Sequence, residues 1–449
     1  RRVHGESFML ATIPSASSLK TNPHPSILKP DCAIKSSGNE GKIPFKPNKK
    51  SSYGTSRRSI LKKSFTQEQV LFSSPLSSEP NVAIIGGGMS GLLCALSLEK
   101  RGVKSTVFDT GIHGLGGRMA TRIIDPQPLV FDHAAQFFTA SDPKFAELAN
   151  DWLNAGLVKN WQGTIAIKEA GKEFAPCSFP SPRYFAVYGM RHLADSLLSN
   201  TSLITVTRPC WISKLEPFNG MWHLSENGKP QGRFDVVVIA HNGTPQVLCI
   251  SRSFHVLQRL ELSSIWALMA AFEKPLLDSM EFEGAFVEGD GCISWMGNNS
   301  SKLTISKGPE CWTFFSTSSY GKRNKVPQEN IPKATAERII GEMLEGVGSV
   351  IGLSRGSIQR PIYKKLQLWG AALPCNSPKI PFIFDGKGRA GICGDWLLGS
   401  NIECAALSGI ALANHIADFL QSGTEDFSFG LHKEFESIEG HDIGQFSGF

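Results

Sequence analysis

The feature that most constrains this chain is a strand–turn–helix–strand run that begins at residue 81. NVAII (81–85) is a short β-branched strand, GGGMSG (86–91) a glycine-rich turn, LLCALSLEKRG (92–102) an amphipathic helix closed by glycine, and STVFD (105–109) a second strand. Two strands joined through a helix in this way pair in parallel within one sheet. The run therefore predicts an α/β fold.

The glycines of the turn have the spacing of a dinucleotide site. Gly86, Gly88 and Gly91 occupy the GxGxxG positions, and Ser90 lies between the last two. The first glycine permits the tight turn, the second the close approach of a pyrophosphate, and the third the packing of helix on strand. The phosphates would bind at the helix N-terminus. Asp109 ends the second strand 18 residues after Gly91, where its carboxylate can accept both ribose hydroxyls.

A second GxGxxG match, GKGRAG at 386–391, precedes a strand instead of following one. A phosphate site needs a strand before the turn and a helix after it. We therefore interpret this second copy as a turn.

The segment that follows Asp109 indicates which dinucleotide is bound. In GIHGLGGRMATR (111–122), Gly116 and Gly117 let the backbone approach a ligand, and Arg118 supplies a planar cationic fork for phosphate. These residues resemble the GGR motif of the amine-oxidase superfamily of flavoproteins. That resemblance implies FAD as the cofactor.

A third segment, near the C-terminus, carries the same resemblance. A strand ends at Gly394 and Asp395, and a helix starts near Ile402 and Glu403. In the superfamily this aspartate bonds the ribityl chain of FAD, and the helix start faces the flavin pyrimidine. A carboxylate and a helix N-terminus suit a polyol and an electron-rich ring. Together the three segments favour FAD over NAD.

A narrower resemblance covers about 82–420 and is weaker from 275 to 375. FDHAAQFFT (131–139), YGMRHLADSL (188–197), DVVVIAHNG (235–243) and WALMAAF (266–272) follow one another as in renalase and the bacterial renalase-like oxidoreductases. The resemblance implies non-covalent FAD and oxidation of unusual dihydronicotinamide isomers with O2 as acceptor. It also implies a two-domain flavoprotein fold like that of p-hydroxybenzoate hydroxylase and the amine oxidases. We expect a Rossmann-like FAD-binding domain with an interleaved, sheet-based α+β substrate domain.

Candidate catalytic residues are few, because flavin N5 accepts the hydride and the protein mainly orients the substrate. His133 and Gln136 lie just beyond the GGR segment, and His133 is either a proton shuttle with a pKa near neutrality or a hydrogen-bonded loop residue. Trp369 lies where relatives place an aromatic near the ring, with packing as the alternative. By the same resemblance Ile212 is expected at the adenine.

The sequence departs from the bacterial relatives directly after this tryptophan. They usually carry an arginine and an aromatic residue there, whereas this chain has Gly370 and Ala371. A cation that could hold an anionic substrate or bias the flavin charge is therefore missing at these two positions. Three functions stay open. The first is a renalase-like FAD-dependent oxidoreductase acting on a small, NAD(P)H-like molecule. The second is a desaturase of isoprenoids or porphyrinogens or an amine oxidase of the same superfamily, and the third a non-catalytic FAD-containing binding or assembly factor in the plastid.

Charge separates the N-terminal segment from the rest of the chain. Residues 1–80 hold 13 Lys and Arg against 5 Asp and Glu, which leaves 33 basic and 35 acidic residues for the remainder. A nucleic-acid partner is not expected, because the basic excess lies outside the predicted folded part. Neither an integral membrane segment nor a metal site is predicted.

Residues 1–80 are expected to be a disordered transit peptide and linker, with Met9 as the true start. The segment is rich in Ser, Thr and Lys and lacks the apolar core of a secretory signal. This predicts the chloroplast stroma, with the mitochondrion as the alternative, and free thiols.

The remaining bounds follow from the three FAD-binding segments. We expect a discontinuous FAD-binding domain at 81–140, 184–250 and 355–422, a substrate domain at 141–183 and 255–354, and a polar tail at 423–449. In such a fold the active site lies between the two domains. The oligomeric state is left open.

Overall fold

The computed structural model describes residues 70–438, apart from 127, 170, 243–255, 278–281, 306, 329 and 423–426. Met9 and most of the predicted transit peptide lie outside the described residues, as does the end of the predicted tail from 439 onward.

The described strands, numbered along the chain, are β1 (Asn81–Ile85), β2 (Lys104–Phe108), β3 (Thr121–Ile124), β4 (Leu129–Asp132), β5 (Phe138–Thr139), β6 (Val158–Asn160), β7 (Ile165–Glu169), β8 (Phe174–Pro176), β9 (Arg183–Ala186), β10 (Ile204–Thr207), β11 (Lys214–Phe218), β12 (Met221–Glu226), β13 (Lys229–Phe234), β14 (Val236–Ile239), β15 (Leu262–Phe272), β16 (Gly284–Glu288), β17 (Ile293–Asn298), β18 (Glu310–Ser316), β19 (Tyr363–Pro374), β20 (Asn376–Ser377), β21 (Ile383–Asp385), β22 (Ala390–Ile392) and β23 (Glu436–Ser437).

The described α-helices are α1 (Met89–Lys100), α2 (Pro143–Asn154), α3 (Met190–Ser196), α4 (Asn299–Lys302), α5 (Ser318–Arg323), α6 (Lys333–Val350) and α7 (Ile402–Ser422). Short 3₁₀ turns occur at Gly117–Met119, Leu257–Arg259 and Asp395–Leu397.

The predicted βαβ unit forms the centre of a six-stranded sheet with the order β10-β2-β1-β14-β22-β21. Its strands pair in parallel except for β21 and β22, which form an antiparallel hairpin. On β1, Val82 and Ile84 pack with α1 and α7, whereas Ala83 packs with the antiparallel meander β11–β13 on the other face. Both faces are covered, which explains why the strand is apolar from Val82 to Ile85. The turn of the β21–β22 hairpin is the second GxGxxG match, so its interpretation as a turn is confirmed.

Two glycines allow the close packing around α1. A Cβ at Gly91 would lie 2.0 Å from the Gly86 carbonyl oxygen of the preceding turn, so any side chain would force the helix away from the strand. A Cβ at Gly409 of α7 would lie 2.1 Å from the Ser90 carbonyl oxygen. The helix that carries the glycine turn is therefore held against both the sheet and α7.

A second sheet of seven strands has the order β19-β15-β18-β17-β16-β7-β8. All its pairs are antiparallel except β16–β7. Helix α6 covers one face, with Ile339 and Met343 packed against Leu268 and Phe314. We call this sheet and α6 the second lobe, and the six-stranded sheet with its helices the first lobe. The second lobe is sheet-based, as the sequence predicts.

The structure differs from several predicted bounds. Strand β19, expected in the FAD-binding domain, is an edge of the second sheet, while α2 packs with α1, α3 and α7 instead of the second lobe. Packed structure also begins before Asn81. Val70 is buried, and Phe72 lies edge-on against Trp222 with ring centroids 5.5 Å apart. Near the other end, Phe429 packs against Phe382. In both flanks aromatic side chains cover the parallel sheet, a long-range contact that a polar composition hides.

Candidate functional site

A cavity of about 450 Å³ opens at the carboxyl ends of β1, β2 and β14. The chain leaves β1 toward β2 on one side and later returns to β14 on the other, so the cavity lies at the point where the strand order reverses. Ligands of open parallel sheets bind at this point. Eleven predicted cofactor residues line the cavity: Gly86, Gly88, Ser90, Asp109, Gly116, Gly117, Arg118, Ile212, Gly394, Asp395 and Ile402.

Backbone forms the wall of the cavity at the first glycine turn. The Gly116 N–H donates to the Gly87 carbonyl at 2.8 Å, which joins this turn to the second glycine segment. A Cβ at Gly88 would have no neighbour nearer than 4.0 Å, and one at Gly117 none nearer than 3.7 Å, so both positions open into free space. Gly88 is the N-cap of α1, and no side chain caps that helix end. The unpaired N–H groups are therefore available to an anion.

Asp109 holds the glycine turn as well as lining the cavity. One carboxylate oxygen accepts from the Gly87 N–H and the other from the Gly111 N–H, both at 2.7 Å. Each oxygen has a further lone pair, so both can still accept a hydroxyl proton from a ribose.

Arg118 is not the free cationic fork that the motif predicts. Its guanidinium donates to the Asp395 carboxylate at 2.5 Å and to the Ala372 carbonyl at 2.9 Å. The Gly394 N–H is held in turn by the Ser408 hydroxyl at 2.9 Å. Arg118 therefore ties the glycine segment to the loop before α7 and to strand β19.

The start of α7 contributes backbone and apolar side chains to the cavity. Asn401 caps the helix through the Cys404 N–H at 2.7 Å. Glu403, predicted as a cofactor ligand, does not line the cavity. Its carboxylate instead accepts from the Ser141 N–H and hydroxyl, both at 2.6 Å, and from the Asp142 N–H at 3.0 Å. Its position in the first turn of α7 directs it toward the loop before α2.

The loop after β10 supplies the residues expected near the adenine. Ile212 lines the cavity together with its neighbours Cys210 and Trp211. Trp211 is 55% exposed and was not predicted as a cofactor contact from the sequence. A large aromatic residue directly before the predicted contact was the available signal.

At the other end of the cavity, strand β19 and the loop after β14 bring in side chains. Trp369 and Ala371 line the cavity, as does Asn242, whose amide donates to the Ala371 carbonyl at 3.0 Å. The Trp369 indole N–H donates to the His133 carbonyl at 2.7 Å, and the two rings are stacked with centroids 5.6 Å apart.

His133 lies behind Trp369 and does not line the cavity. Burial lowers its pKa to about 4, and the nearby Arg122 guanidinium contributes. This differs from the expected value near neutrality, since loss of hydration disfavours the imidazolium. The ring is therefore neutral at physiological pH, and its Nδ1 has no partner among the described residues.

Gln136 also lies outside the cavity lining, because its amide is used within its own loop. It donates to the Asp132 carbonyl at 2.6 Å and the Ala134 carbonyl at 3.0 Å. Beside it, the fully buried Asp132 carboxylate pairs with the Lys302 ammonium at 2.7 Å. No sequence pattern indicates this pair, since the two residues are 170 positions apart.

The cavity residues fit a flavin dinucleotide. Open space beside Gly88 and Gly117 suits a pyrophosphate, and the uncapped α1 N-terminus supplies donors for it. Two lining residues, Trp396 and Ser400, also carry buried polar atoms without a partner in the described part of the chain. Such groups are costly unless a ligand or water satisfies them.

Comparisons with known proteins agree with this geometry. A family model described as an NAD(P)-binding Rossmann-like domain matches residues 84–152. Over 92 residues the chain is 33% identical to protoporphyrinogen oxidase 2, chloroplastic/mitochondrial, of Arabidopsis thaliana. That match spans 20% of this chain and 17% of the Arabidopsis protein.

Solved structures match over most of the chain. A protein from Exiguobacterium sp. 255-15, assigned as a protoporphyrinogen oxidase, aligns with a TM-score of 0.58 at 12% identity and covers 76% of this chain and 99% of its own. Cyclohexylamine oxidase from Brevibacterium oxydans IH-35A gives 0.54 at 14% identity, with 76% and 100% covered. The predicted mixed α/β fold with a Rossmann-like domain is confirmed. Within the described residues no helix has the length and apolarity needed to cross a membrane.

Proposed function

We propose that this chain is an FAD-dependent oxidoreductase that takes a hydride from a small reduced substrate and passes the electrons to O2 or another acceptor. One observation carries the proposal. A single cavity joins the glycine turn and Asp109 of a dinucleotide site to Asp395, the start of α7 and Trp369 of the second lobe. A bound dinucleotide would therefore extend from the Rossmann-like sheet to the boundary with the second sheet, where a substrate can meet it.

The residues of the first lobe would hold the cofactor. The uncapped α1 N-terminus and the Gly88 and Gly117 backbone would bind the pyrophosphate, and Asp109 the ribose. Asp395, whose position is set by Arg118, would accept from the ribityl chain. The Ile402 end of α7 would face the ring, where the helix dipole favours electron density. When bound, FAD supplies a hydride acceptor at its flavin N5.

At the second-lobe end this chain's residues would orient the substrate. Trp369 presents an aromatic face whose direction is fixed by the His133 carbonyl and the stacked imidazole. The buried His133, with its lowered pKa, would act by positioning this tryptophan. Gln136 would act in the same indirect way, by holding the loop that carries His133.

The renalase-like assignment is the finer part of the proposal. It names a small dihydronicotinamide-like molecule as the substrate and the chloroplast stroma as the compartment. The order of the four quoted segments supports the first point. The composition of residues 1–80 supports the second, as does the partial likeness to a chloroplastic/mitochondrial protein.

A second candidate activity is oxidation of a porphyrinogen. The observation that favours it is the pair of protoporphyrinogen-oxidase likenesses, one to the Arabidopsis protein in sequence and one to the Exiguobacterium structure in fold. Both candidates use the same cavity and differ only in the substrate that reaches Trp369.

Anaerobic stopped-flow on the full chain separates these candidates. Flavin absorbance near 450 nm would be followed while the FAD-loaded protein is mixed with NADH, NADPH, their off-position dihydro isomers, a primary amine or a porphyrinogen. Fast bleaching by a dihydronicotinamide isomer is the expected result. Bleaching by the porphyrinogen or amine alone would favour the other superfamily activities, and a loaded protein that no donor bleaches would favour a binding role.

A further inference from the structure

The loop between α5 and α6 reaches strand β19 at the residue that follows Trp369. The Gly370 N–H donates to the Gln328 side-chain oxygen at 3.0 Å, and the Gly370 carbonyl accepts from the Lys325 ammonium at 3.0 Å. Two side chains of one loop thus bind both backbone groups of a single residue.

An irregularity in β19 makes this contact possible. Ser263 pairs with Leu373 and Ile265 with Trp369, so residues 370–372 of β19 lie opposite a single residue of β15. Such bulges interrupt the ladder and leave backbone groups free for other partners. A Cβ at Gly370 would lie 3.1 Å from the Gln328 oxygen, so the glycine admits the loop where a larger residue would push it away.

Gln328 also lines the cavity, beside Trp369 and Ala371. Its oxygen must be the atom that faces Gly370, because a backbone N–H can bond only to an acceptor. Its amide nitrogen therefore carries two N–H donors, for which the described part of the chain supplies no acceptor.

The same loop also carries a cation, Lys325. Lys322 and Arg323 end helix α5, and the one carboxylate of the loop, Glu329, lies outside the described residues. The Lys325 ammonium uses one of its three N–H donors on Gly370 and has two more. The Lys325 ammonium therefore places a cation at the residue after Trp369, beside the residues that line the cavity.

We propose that Gln328 and Lys325 recognise an anionic end of the substrate, so that among small dihydronicotinamide-like molecules the protein prefers one that carries a carboxylate and places its oxidisable part against Trp369. Two amide donors and an ammonium match the acceptor oxygens of a carboxylate. This inference rests on the proposed function, because it places the substrate at the Trp369 end of the cavity.

The test uses three probes that share a ring and differ in charge: benzoate, benzyl alcohol and benzylamine. Each is titrated into the FAD-loaded full chain, and the perturbation of the flavin spectrum gives the Kd. We expect benzoate to bind at least about 10-fold more tightly than benzyl alcohol, and its affinity to fall as salt screens the ammonium. Benzylamine should bind most weakly.

Two variants remove the recognition groups with little change of shape. Gln328→Glu keeps an oxygen for the Gly370 N–H but replaces the donor by an anionic acceptor, and Lys325→Met removes the charge. Each should weaken benzoate about 10-fold and leave benzyl alcohol nearly unchanged. Lys365→Ala is the matched control, since this exposed lysine lies on the same strand but roughly 16 Å from Gly370 at about 3.3 Å per residue.

The inference is overturned if the three probes bind equally, if none binds, or if both variants keep the affinity for benzoate. Flavin content and circular dichroism confirm that each variant is folded, and Lys325→Arg should restore binding. A wild-type chain that takes up no FAD would overturn the proposed function instead. In that event calorimetric titration of benzoate into the same protein still tests the loop, with no heat of binding counting against it.

Discussion

The two ends of the cavity are built from different materials. At the first-lobe end the wall is backbone: glycines that open onto free space, an uncapped helix start, and Asp109 bonded to two N–H groups of its own turn. At the second-lobe end the wall is side chains held by other side chains: Trp369 on His133, and Gln328 on Gly370. These first-lobe groups lie between Gly86 and Gly117, whereas the second-lobe groups come from three separate segments, at His133, Gln328 and Trp369.

This difference separates what binds a cofactor from what selects a substrate. A backbone wall tolerates sequence change around it, provided that the glycines stay, so it can be retained while the second lobe varies. The side-chain wall changes with each substitution in the loops that form it.

Lys302→Met should destabilise the fold most, because it leaves the Asp132 carboxylate buried without its cation. Removing one partner of a buried ion pair costs about 3–5 kcal/mol. Chemical denaturation of the full chain measures this loss. Adding Asp132→Asn should recover part of it, and a single variant as stable as the wild type would show that the second-lobe end does not depend on this pair.

His133 should make the stability fall as the pH is lowered. An unfolded histidine takes up its proton near pH 6.5, but folded His133 does so only near pH 4, because burial lowers its pKa. The unfolded state therefore binds more protons in this window, and stability that is complete above pH 6.5 is lost toward pH 4, by up to about 3 kcal/mol. Thermal melts of wild type and His133→Phe should diverge across that range; parallel curves would contradict the buried neutral ring.

Asp109→Ala should weaken FAD retention by about 1–3 kcal/mol, roughly 5- to 150-fold in Kd, because it removes ribose acceptors and loosens the glycine turn. Ultrafiltration of the loaded protein, followed by flavin fluorescence of the filtrate, measures the loss. The Kd of the Asp109→Asn variant, which keeps an acceptor oxygen, should lie between those of the wild type and Asp109→Ala. Full flavin occupancy of the alanine variant under dilution would show that Asp109 does not contribute to FAD binding.

Glu403→Gln should have the smallest effect on the cofactor. Its carboxylate serves the loop before α2, so we expect a loss of about 1 kcal/mol in the free energy of unfolding. The Kd for FAD should change less than twofold. A large change in the Kd for FAD at unchanged stability would show that Glu403 contacts the cofactor, as the sequence resemblance implies.

The first-lobe end could be predicted because its chemistry is local. Gly86, Gly88, Gly91 and Asp109 lie within 24 residues, and a βαβ unit allows them only one arrangement. The second GxGxxG match could be rejected because a strand, β22, and not a helix follows it, although the structure also places a strand, β21, before it, which the sequence did not indicate.

The second-lobe end could not be predicted in the same way. His133 lies in the predicted neighbourhood, but whether it lines the cavity or lies behind Trp369 depends on how a bulge in β19 meets a loop 236 residues earlier. Gln328 and Lys302 carry no motif at all, because their roles come from segments that meet only after the second sheet forms. Glu403 directly follows the cavity-lining Ile402 but, at about 100° of rotation per helical residue, its side chain faces the loop before α2.

Two glycine variants test whether backbone at the glycine turn holds FAD. Gly88→Val places a side chain in open space at the cavity wall, whereas Gly91→Ala places a Cβ 2.0 Å from the Gly86 carbonyl oxygen, inside the fold. Absorbance near 450 nm and thermal melts would be recorded for both and for the wild type.

We predict one FAD per chain in the wild type, little or no flavin in a Gly88→Val protein that melts near the wild-type temperature, and a lowered melting temperature for Gly91→Ala. A colourless wild type that takes up no added FAD would show that the protein does not bind this cofactor. A Gly88→Val protein that retains flavin as tightly as the wild type would show that backbone at the glycine turn does not hold it.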